Sequence, residues 1–243
     1  MSYRSVLYSR YSESFGDQKC FDPEVQFAFY DAIYGAQAFD DTSAVLDVGC
    51  GKGEWLAWLH QRGLRQLHGV DASPSDIEQA RQTAPGSQLS LGDGTQHLLA
   101  NPETFDLIHA KDVIEHMTKD EFITFLQAAL RALKPGGQLW LLSFNAQAPL
   151  SGAIRYGDFT HESGHTPASL AQCLRACGFG AVAVRGFHYC SKSLSGRVRA
   201  LLAWPVLKVS RLMLRLRHGG ADAQGDIDLF ASQPDLFARA RKL

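Results

Sequence analysis

Short apolar runs alternate with amphipathic stretches along most of the chain. Each run is short enough for a buried strand, and the stretches separating the runs have the three-to-four-residue spacing of helices. The runs taken as strands are AVLDVG, LHGVDA, QLSLGD, FDLIHA, QLWLLSF and AVAVRGF, and the alternating C-terminal stretch DLFARARKL is a further one. Strands that alternate with helices predict an α/β fold, a doubly wound parallel sheet with helices on both faces.

The same pattern divides the chain into segments. Residues 1–42 are rich in tyrosine and phenylalanine and contain a helical stretch after Pro23, which we interpret as an aromatic helical segment or lid. Residues 43–189 carry the alternating strands and helices, and residues 235–243 supply the strand that completes the sheet. The stretch in between, residues 190–234, is predicted to be a helical insertion.

Composition excludes several classes of protein. The 243 residues are 45% hydrophobic and 20% charged, as in globular proteins, and a net charge of -1 gives no overall attraction to nucleic acid. The N-terminus lacks the apolar core of a signal peptide, and no window has the apolar run of a spanning helix. The five cysteines are an odd number without framework spacing, so we expect reduced thiols in a cytoplasmic protein.

A glycine-rich loop follows the first predicted strand, in the stretch VLDVGCGKGEWL. Glycines at positions 49, 51 and 53 let the chain turn tightly and let a ligand lie against main-chain N–H groups. Asp71 ends the next strand, about 20 residues after the loop, where a carboxylate accepts ribose hydroxyls. This order of strand, loop, helix, strand and acid predicts a nucleotide site.

The spacing of the loop favours one nucleotide cofactor over another. It reads G-x-G-x-G, whereas dinucleotide enzymes use G-x-G-x-x-G to hold a pyrophosphate. Asp47 precedes the loop, and its carboxylate would repel a pyrophosphate but attract the ammonium of an amino acid. The sequence therefore favours S-adenosylmethionine (SAM) over NAD.

Successive motifs resemble those of class I SAM-dependent methyltransferases. The motifs are VLDVGCGKG, GVDASP, GDG, FDLIHAKDVIEHM and LKPGGQLWLLS, and they span roughly residues 43–187 in order. The resemblance implies a Rossmann-like sheet of seven strands in the order 3-2-1-4-5-7-6, with strand seven antiparallel. It also implies an enzyme that transfers a methyl group from SAM.

The resemblance further implies which residues hold SAM. Asp47 and the glycine loop would line the methionine end, Asp71 would hold the ribose, and Asp93 would flank the adenine. Lys111 and Asp112 would face the donor and the acceptor. The complete set of expected SAM-binding residues is Asp47, Gly49, Cys50, Gly51, Gly53, Asp71, Ala72, Asp93, Gly94 and Lys111.

The stretch KDVIEHM is the first candidate for acid–base chemistry. If Asp112 opens a helix, then Asp112, Glu115 and His116 share one face of it. A histidine beside carboxylates can take a proton from an acceptor hydroxyl. The same set could instead hold a divalent metal, as in the ubiquinone-biosynthesis O-methyltransferases that it resembles, or form a helix cap. We expect the acid–base role and no metal.

The loop after the fifth strand is the second candidate. It reads RYGDFTHESGHTPASL, leaves the sheet at the edge where acceptor pockets form, and offers Asp158 and His161 as an alternative base. Its sequence resembles that of bacterial methyltransferases associated with cell-surface polysaccharide and glycan assembly, and this resemblance implies a sugar hydroxyl as acceptor. The alternative is a solvated loop held by helix capping.

The insertion contains a basic amphipathic stretch, SGRVRALLAWPVLKVSRLMLRLRH, which Pro205 is expected to kink or split. Such a stretch predicts a helix at an anionic membrane surface, packed on its own domain, or at a homodimer contact. Nucleic acid is not expected, because no aromatic platform accompanies the charges. Val198, Leu202, Val206, Val209, Met213 and Leu216 share one face of the helix, and Arg197, Lys208, Arg211 and Arg215 share another.

The sequence thus predicts a cytoplasmic methyltransferase, peripheral to the inner face of the membrane if the basic helix binds lipid. The expected reaction is O-methylation of a sugar hydroxyl on a cell-surface polysaccharide or lipid-linked glycan. Two alternatives stay open: a small-molecule or quinone-type O-methyltransferase, and a non-catalytic SAM-binding interaction module.

Overall fold

The computed structural model describes residues 3–8, 22–35, 37, 40–189, 193–219 and 223–243. Parts of the predicted lid and of the insertion lie outside these residues. The helices are α1 (Tyr3–Tyr8), α2 (Pro23–Tyr34), α3 (Glu54–Gln61), α4 (Pro74–Thr83), α5 (Gly94–Ala100), α6 (Lys119–Ala132), α7 (Ser151–Arg155), α8 (Pro167–Ala176) and α9 (Leu194–His218), with a 3₁₀ turn at Ile114–His116. The strands are β1 (Ala44–Val48), β2 (Gln66–Asp71), β3 (Gln88–Leu91), β4 (Phe105–Lys111), β5 (Leu133–Phe144), β6 (Gly180–Phe187), β7 (Ala223–Gln224), β8 (Ile227–Asp228) and β9 (Asp235–Arg241).

Within the described residues, the strands form a mixed nine-stranded sheet in the order β3-β2-β1-β4-β5-β9-β6-β8-β7. β1 pairs in parallel with β2 and β4, and β9 runs antiparallel to β6. The prediction of seven strands is wrong in number, because the insertion adds the two short strands β7 and β8 beside β6. The other strands follow the expected order, with β9 in the place of strand seven.

The chain divides into two compact units. The first unit comprises the residues up to Lys111 together with Gln127–Leu139, and the second comprises Asp112–Leu126 together with Trp140–Leu243. The division into lid, core, insertion and final strand stays a prediction.

The core of the first unit forms around β1, whose residues are all buried. Helix α2 begins as expected, with Asp22 accepting from the backbone N–H of Glu24 at 3.0 Å and Pro23 in the first turn. Its Tyr34 ring lies about 6 Å from the buried rings of Trp55 and Trp58. Helix α2 therefore belongs to the apolar core of this unit.

The second unit forms around β6 and β9. The buried Asn145 ties the end of β5 to the segment before β9, because its side-chain amide donates to the carbonyls of Ala231 and Gln233 at 2.8 and 2.9 Å. Helix α8 opens with a reciprocal capping box between Thr166 and Ser169. Pro205 was expected to kink or split helix α9; the helix is continuous through it, so a split is wrong. None of the described helices is both long enough and apolar enough to cross a membrane.

Candidate functional site

The glycine loop after β1 has the backbone conformation for which glycine is needed. Gly49, Gly51 and Gly53 have φ angles of 70°, 50° and 78°, in the left-handed region that L side chains rarely adopt. A Cβ added at Gly51 would meet no described atom within 4 Å, so the loop leaves open space at this point. The exposed main chain and this space fit a ligand that lies against the backbone.

Asp71 at the end of β2 holds this loop in place. Its carboxylate accepts from the backbone N–H of Gly51 and of Ser73, both at 2.8 Å. Burial raises the pKa of Asp71, and the two backbone hydrogen bonds oppose that shift. Asp71 thus organises the loop, in addition to the ribose contact expected of it.

Asp47 belongs to a buried polar chain that the sequence analysis missed. Its Oδ1 lies 2.7 Å from Nδ1 of His109, and Nε2 of the same ring lies 2.7 Å from the Tyr34 hydroxyl. An ionised carboxylate only accepts, so His109 Nδ1 donates to Asp47. The Trp55 ring stacks on His109 at a centroid distance of 3.9 Å. His109, Tyr34 and Trp55 therefore fix Asp47 behind the loop.

Two further expected SAM residues lie at the start of α5. Asp93 is the N-cap of this helix and accepts from the backbone N–H of Gln96 at 2.8 Å. A Cβ at Gly94 would overlap the Val48 side chain, so glycine allows α5 to approach the end of β1.

The remaining expected SAM residues lie elsewhere in the first unit. Cys50 is buried, and burial raises the pKa of its thiol, so it is a neutral packing residue there. Ala72 is exposed, and Lys111 Nζ lies 5.8 Å from the centre of the Phe29 ring.

The expected helix face at Asp112, Glu115 and His116 is wrong. Asp112 has a φ of 55°, and only Ile114–His116 form a 3₁₀ turn, so the three side chains have no common α-helical face. The Glu115 side chain is buried and accepts from the Ser143 hydroxyl at 3.1 Å. His116 has different partners, on the loop after β5.

His116 is joined to Asp158 through Thr160. The Thr160 hydroxyl lies 2.6 Å from Asp158 Oδ1 and 2.9 Å from His116 Nδ1. This hydroxyl has a single proton, and an ionised Asp158 can only accept, so the proton goes to Asp158 and His116 Nδ1 donates to the hydroxyl. A neutral His116 therefore carries its lone pair on Nε2. We name His116, Thr160 and Asp158 the relay; Thr160 was missed in the sequence analysis.

Burial favours the neutral form of His116. Its pKa is lowered chiefly by loss of hydration and secondly by the nearby His161 ring, while Asp158 and Thr160 oppose the shift. An imidazole that is neutral near pH 7 can accept a proton.

His161 also lies beside Asp158, as the sequence analysis expected. Its Nε2 is 3.8 Å from Asp158 Oδ2, and its Nδ1 donates to the backbone carbonyl of Ile154 at 3.0 Å. One ligand-type atom from each of His116, Asp158 and His161 lies within 4.8 Å of the others. If this chain holds a metal, these residues fit it better than the expected Asp112, Glu115 and His116, because the Glu115 carboxylate points to Ser143.

The loop after β5 is held by one arginine and exposes apolar side chains. Arg155 donates to the backbone carbonyls of His161 and Glu162, which fixes the segment that carries Asp158 and Thr160. Tyr156 and Phe159 are 82% and 80% exposed, and the aliphatic side chains of Leu150 and Ile154 are exposed nearby in the chain. This loop therefore offers a surface suited to an apolar ligand.

Comparison with known proteins places this geometry in context. Residues 45–137 match the family model described as a methyltransferase domain. The chain is similar to the ubiquinone biosynthesis O-methyltransferase of Idiomarina loihiensis, with 29% identity over 160 residues, 60% of this chain and 65% of that protein. It is also similar to the phosphoethanolamine N-methyltransferase of Plasmodium falciparum, with 24% identity over 145 residues, 58% of this chain and 54% of that protein. The chain thus aligns with 54–65% of the length of these relatives.

A solved structure supports the fold. A SAM-dependent methyltransferase from Archaeoglobus fulgidus matches with a TM-score of 0.68 at 19% identity, covering 99% of this chain and 100% of that chain. No support emerges for the glycan-associated resemblance. The part of the chain that matches the model of the methyltransferase domain contains Asp47, the glycine loop and Asp71.

Proposed function

We propose that the chain transfers the methyl group of SAM to a hydroxyl oxygen on an apolar, aromatic acceptor. The relay is the observation that carries the proposal, because it supplies a base for a hydroxyl. Thr160 and Asp158 are buried, so the hydrogen bonds that orient His116 are shielded from water. The donor-binding residues are Asp47, the glycine loop, Asp71 and Asp93.

SAM, when bound, supplies a methyl group on a positively charged sulfur that leaves readily. The residues of the chain must then orient the acceptor oxygen and remove its proton as the new C–O bond forms. His116 Nε2 takes that proton. The resulting imidazolium keeps its Nδ1–H bond to Thr160, whose hydroxyl transmits the negative charge of Asp158. The buried carboxylate of Asp158 thereby stabilises the positive charge that the ring gains.

The choice of acceptor rests on the loop after β5. Its exposed Tyr156 and Phe159 rings and its exposed aliphatic side chains suit a flat apolar molecule better than a sugar, which needs several hydrogen-bond partners. The name of the Idiomarina relative also supports a quinone-type acceptor. We therefore favour the small-molecule, quinone-type alternative over a glycan.

The test is an acceptor panel with SAM as donor. Release of S-adenosylhomocysteine is measured with a catechol that bears an alkyl chain, with a nucleotide sugar, with a methyl glycoside and with phosphoethanolamine. Turnover of the catechol, with the product methylated on oxygen by NMR, is expected. Replacing His116 by Gln should lower kcat/KM by about 100-fold or more, the usual range for loss of a general base. The matched control is His60→Gln, at an exposed histidine of α3.

Turnover of a sugar alone would overturn the acceptor class, and equal activity of the His116→Gln variant would overturn the role of the relay. SAM binding without turnover of any acceptor, by protein that is folded, would favour the interaction-module alternative.

A further inference from the structure

Helix α9 presents an apolar face that points away from the rest of the second unit. It runs for 25 residues, and Gly196 is the one residue of it that is fully buried. The less exposed positions recur every three or four residues, and they mark the inner face of the helix. This inner face consists mainly of small side chains, at Gly196, Ala200, Ala203, Leu207, Ser210 and Leu214.

The inner face is attached to the segment around β8. The Ser232 hydroxyl donates to the Leu207 carbonyl at 2.9 Å, and Arg211 forms an ion pair with Asp228 at 2.8 Å. These contacts fix the rotation of the helix about its axis. The larger apolar side chains consequently lie on the opposite side and in solvent; Leu216, for example, is 78% exposed. They are Val198, Leu202, Val206, Val209, Met213 and Leu216.

Basic side chains border this outward face on both edges. At about 100° per residue, Arg197, Lys208 and Arg215 fall along one edge, and Arg199 and Arg217 fall along the other. The six arginine and lysine residues of α9 face no aspartate or glutamate within the helix. The outward face is thus an exposed apolar stripe between two rows of positive charge.

One aromatic side chain accompanies the basic edge. Trp204 is exposed, and Lys208 Nζ lies 5.5 Å from the centre of its ring. Tryptophan is favoured where an apolar environment meets water, because its ring is apolar and its N–H is polar.

We propose that α9 lies on the surface of an anionic lipid bilayer, with its outward face in the headgroup–acyl boundary and its basic edges against the headgroups. An apolar face bordered by basic side chains is typical of helices that lie at a membrane surface. A second copy of this chain fits less well, because pairing two such faces would bring the basic rows together with no acidic side chain of α9 to oppose them. This inference does not depend on the acceptor proposed above.

Vesicle binding by the full chain tests the proposal. Flotation is compared for vesicles of phosphatidylcholine alone and for vesicles with 30 mol% phosphatidylglycerol. Binding to the anionic vesicles is expected, with much weaker binding to the neutral ones and a loss of binding at high salt, because screening acts on the charge contacts. Methyl transfer is not needed as a readout.

Two variants separate the apolar and the charged contributions. Leu202→Glu combined with Leu216→Glu should weaken binding by about tenfold or more, since the apolar face then carries charge. The matched control is Val25→Glu, at an exposed apolar position of α2. Arg199→Gln combined with Arg217→Gln should weaken binding roughly 25-fold, since each basic residue near an anionic surface contributes about fivefold. Its control is Arg81→Gln with Arg131→Gln, at exposed positions of α4 and α6.

All substituted side chains of α9 are exposed, so thermal unfolding of these variants should match wild type. Absence of vesicle binding, or equal binding by the α9 variants and their controls, would overturn the proposal. So would concentration-dependent self-association that the Leu202→Glu/Leu216→Glu variant abolishes in the absence of lipid.

Discussion

The hydroxyl of Thr160 determines which nitrogen of His116 carries a proton. Replacing Thr160 by Val keeps the shape of the side chain but removes this hydroxyl, and with it the link to Asp158. We expect kcat/KM to fall about tenfold, a modest part of the full contribution of a general base. The acid limb of the pH–rate profile should also move to lower pH, because the imidazolium form of His116 loses the hydroxyl that accepts from its Nδ1–H and links it to Asp158.

Thr124→Val is the matched control for this measurement. The Thr124 hydroxyl donates to the carbonyl of Asp120 within α6, on the exposed surface. A lower rate in the Thr160→Val enzyme without any movement of the acid limb would indicate a structural role only.

Single residues also show where sequence reasoning ends. The positive φ angles at Gly49, Gly51 and Gly53 follow from the local spacing of glycines, which the sequence displays directly. The partnership of Asp47 with His109 depends on β1 and β4 lying side by side in register, with residue 47 opposite residue 109. A parallel pairing of these strands was predicted, so the histidine near the end of FDLIHA was a signal that could have been used.

At the scale of elements, the loop after β5 depends on Arg155. Replacing Arg155 by Gln removes the guanidinium that fixes the His161 and Glu162 carbonyls. We expect kcat to fall and the KM for the acceptor to rise, each severalfold, while the Kd for SAM stays constant, because this loop carries Asp158 and Thr160 of the relay and no residue proposed to bind the donor. Steady-state kinetics and SAM titration measure the two effects. The control is Arg175→Gln, at an exposed position on α8.

The hydrogen bonds of the same loop predict that activity does not require a divalent metal. The relay already uses Asp158 Oδ1 and His116 Nδ1 in hydrogen bonds, and these bonds suffice to orient the base. Activity should therefore persist after dialysis against EDTA. Loss of activity, restored by a divalent ion, would instead assign His116, Asp158 and His161 to a metal site.

Elements differ in how well the sequence predicted them. Strands of the sheet were predicted well, because a short apolar run flanked by helices has few other interpretations. The helix expected at Asp112 was predicted wrongly. This residue has a left-handed backbone, and its amide donates at 2.9 Å to the carbonyl of Leu142, a residue far along the chain. β7 and β8 are two residues each and carry no periodic signal.

For the whole molecule, buried histidines predict how stability changes with pH. Burial lowers the pKa of His165 from its ordinary value of 6.5 to about 4. The unfolded chain therefore binds more protons between these values, and the free energy of unfolding falls as the pH drops below 6.5. One such proton contributes up to about 1.4 kcal/mol per pH unit. Urea unfolding between pH 4.5 and 7 measures this slope, and His165→Leu should reduce it.

The His165→Leu variant also loses the contact with Ser163, which can itself change the stability. An NMR titration of the folded wild type therefore gives an independent check. The His165 ring should remain neutral from pH 7 down to about 5, because its pKa lies near 4. A ring that titrates near its ordinary value would contradict the buried environment described above.

The glycine loop is expected to bind SAM, and thermal unfolding against SAM concentration tests this binding most directly. A ligand that binds only the folded state stabilises it by about 2.7 kcal/mol at 100 times its Kd. Wild type should respond in this way. Gly51→Ala should respond much less, because its Cβ would enter the open space of the loop, whereas Gly136→Ala, also at a positive φ with open space, should respond like wild type. An equal response from both variants, or none from wild type at millimolar SAM, would contradict the account.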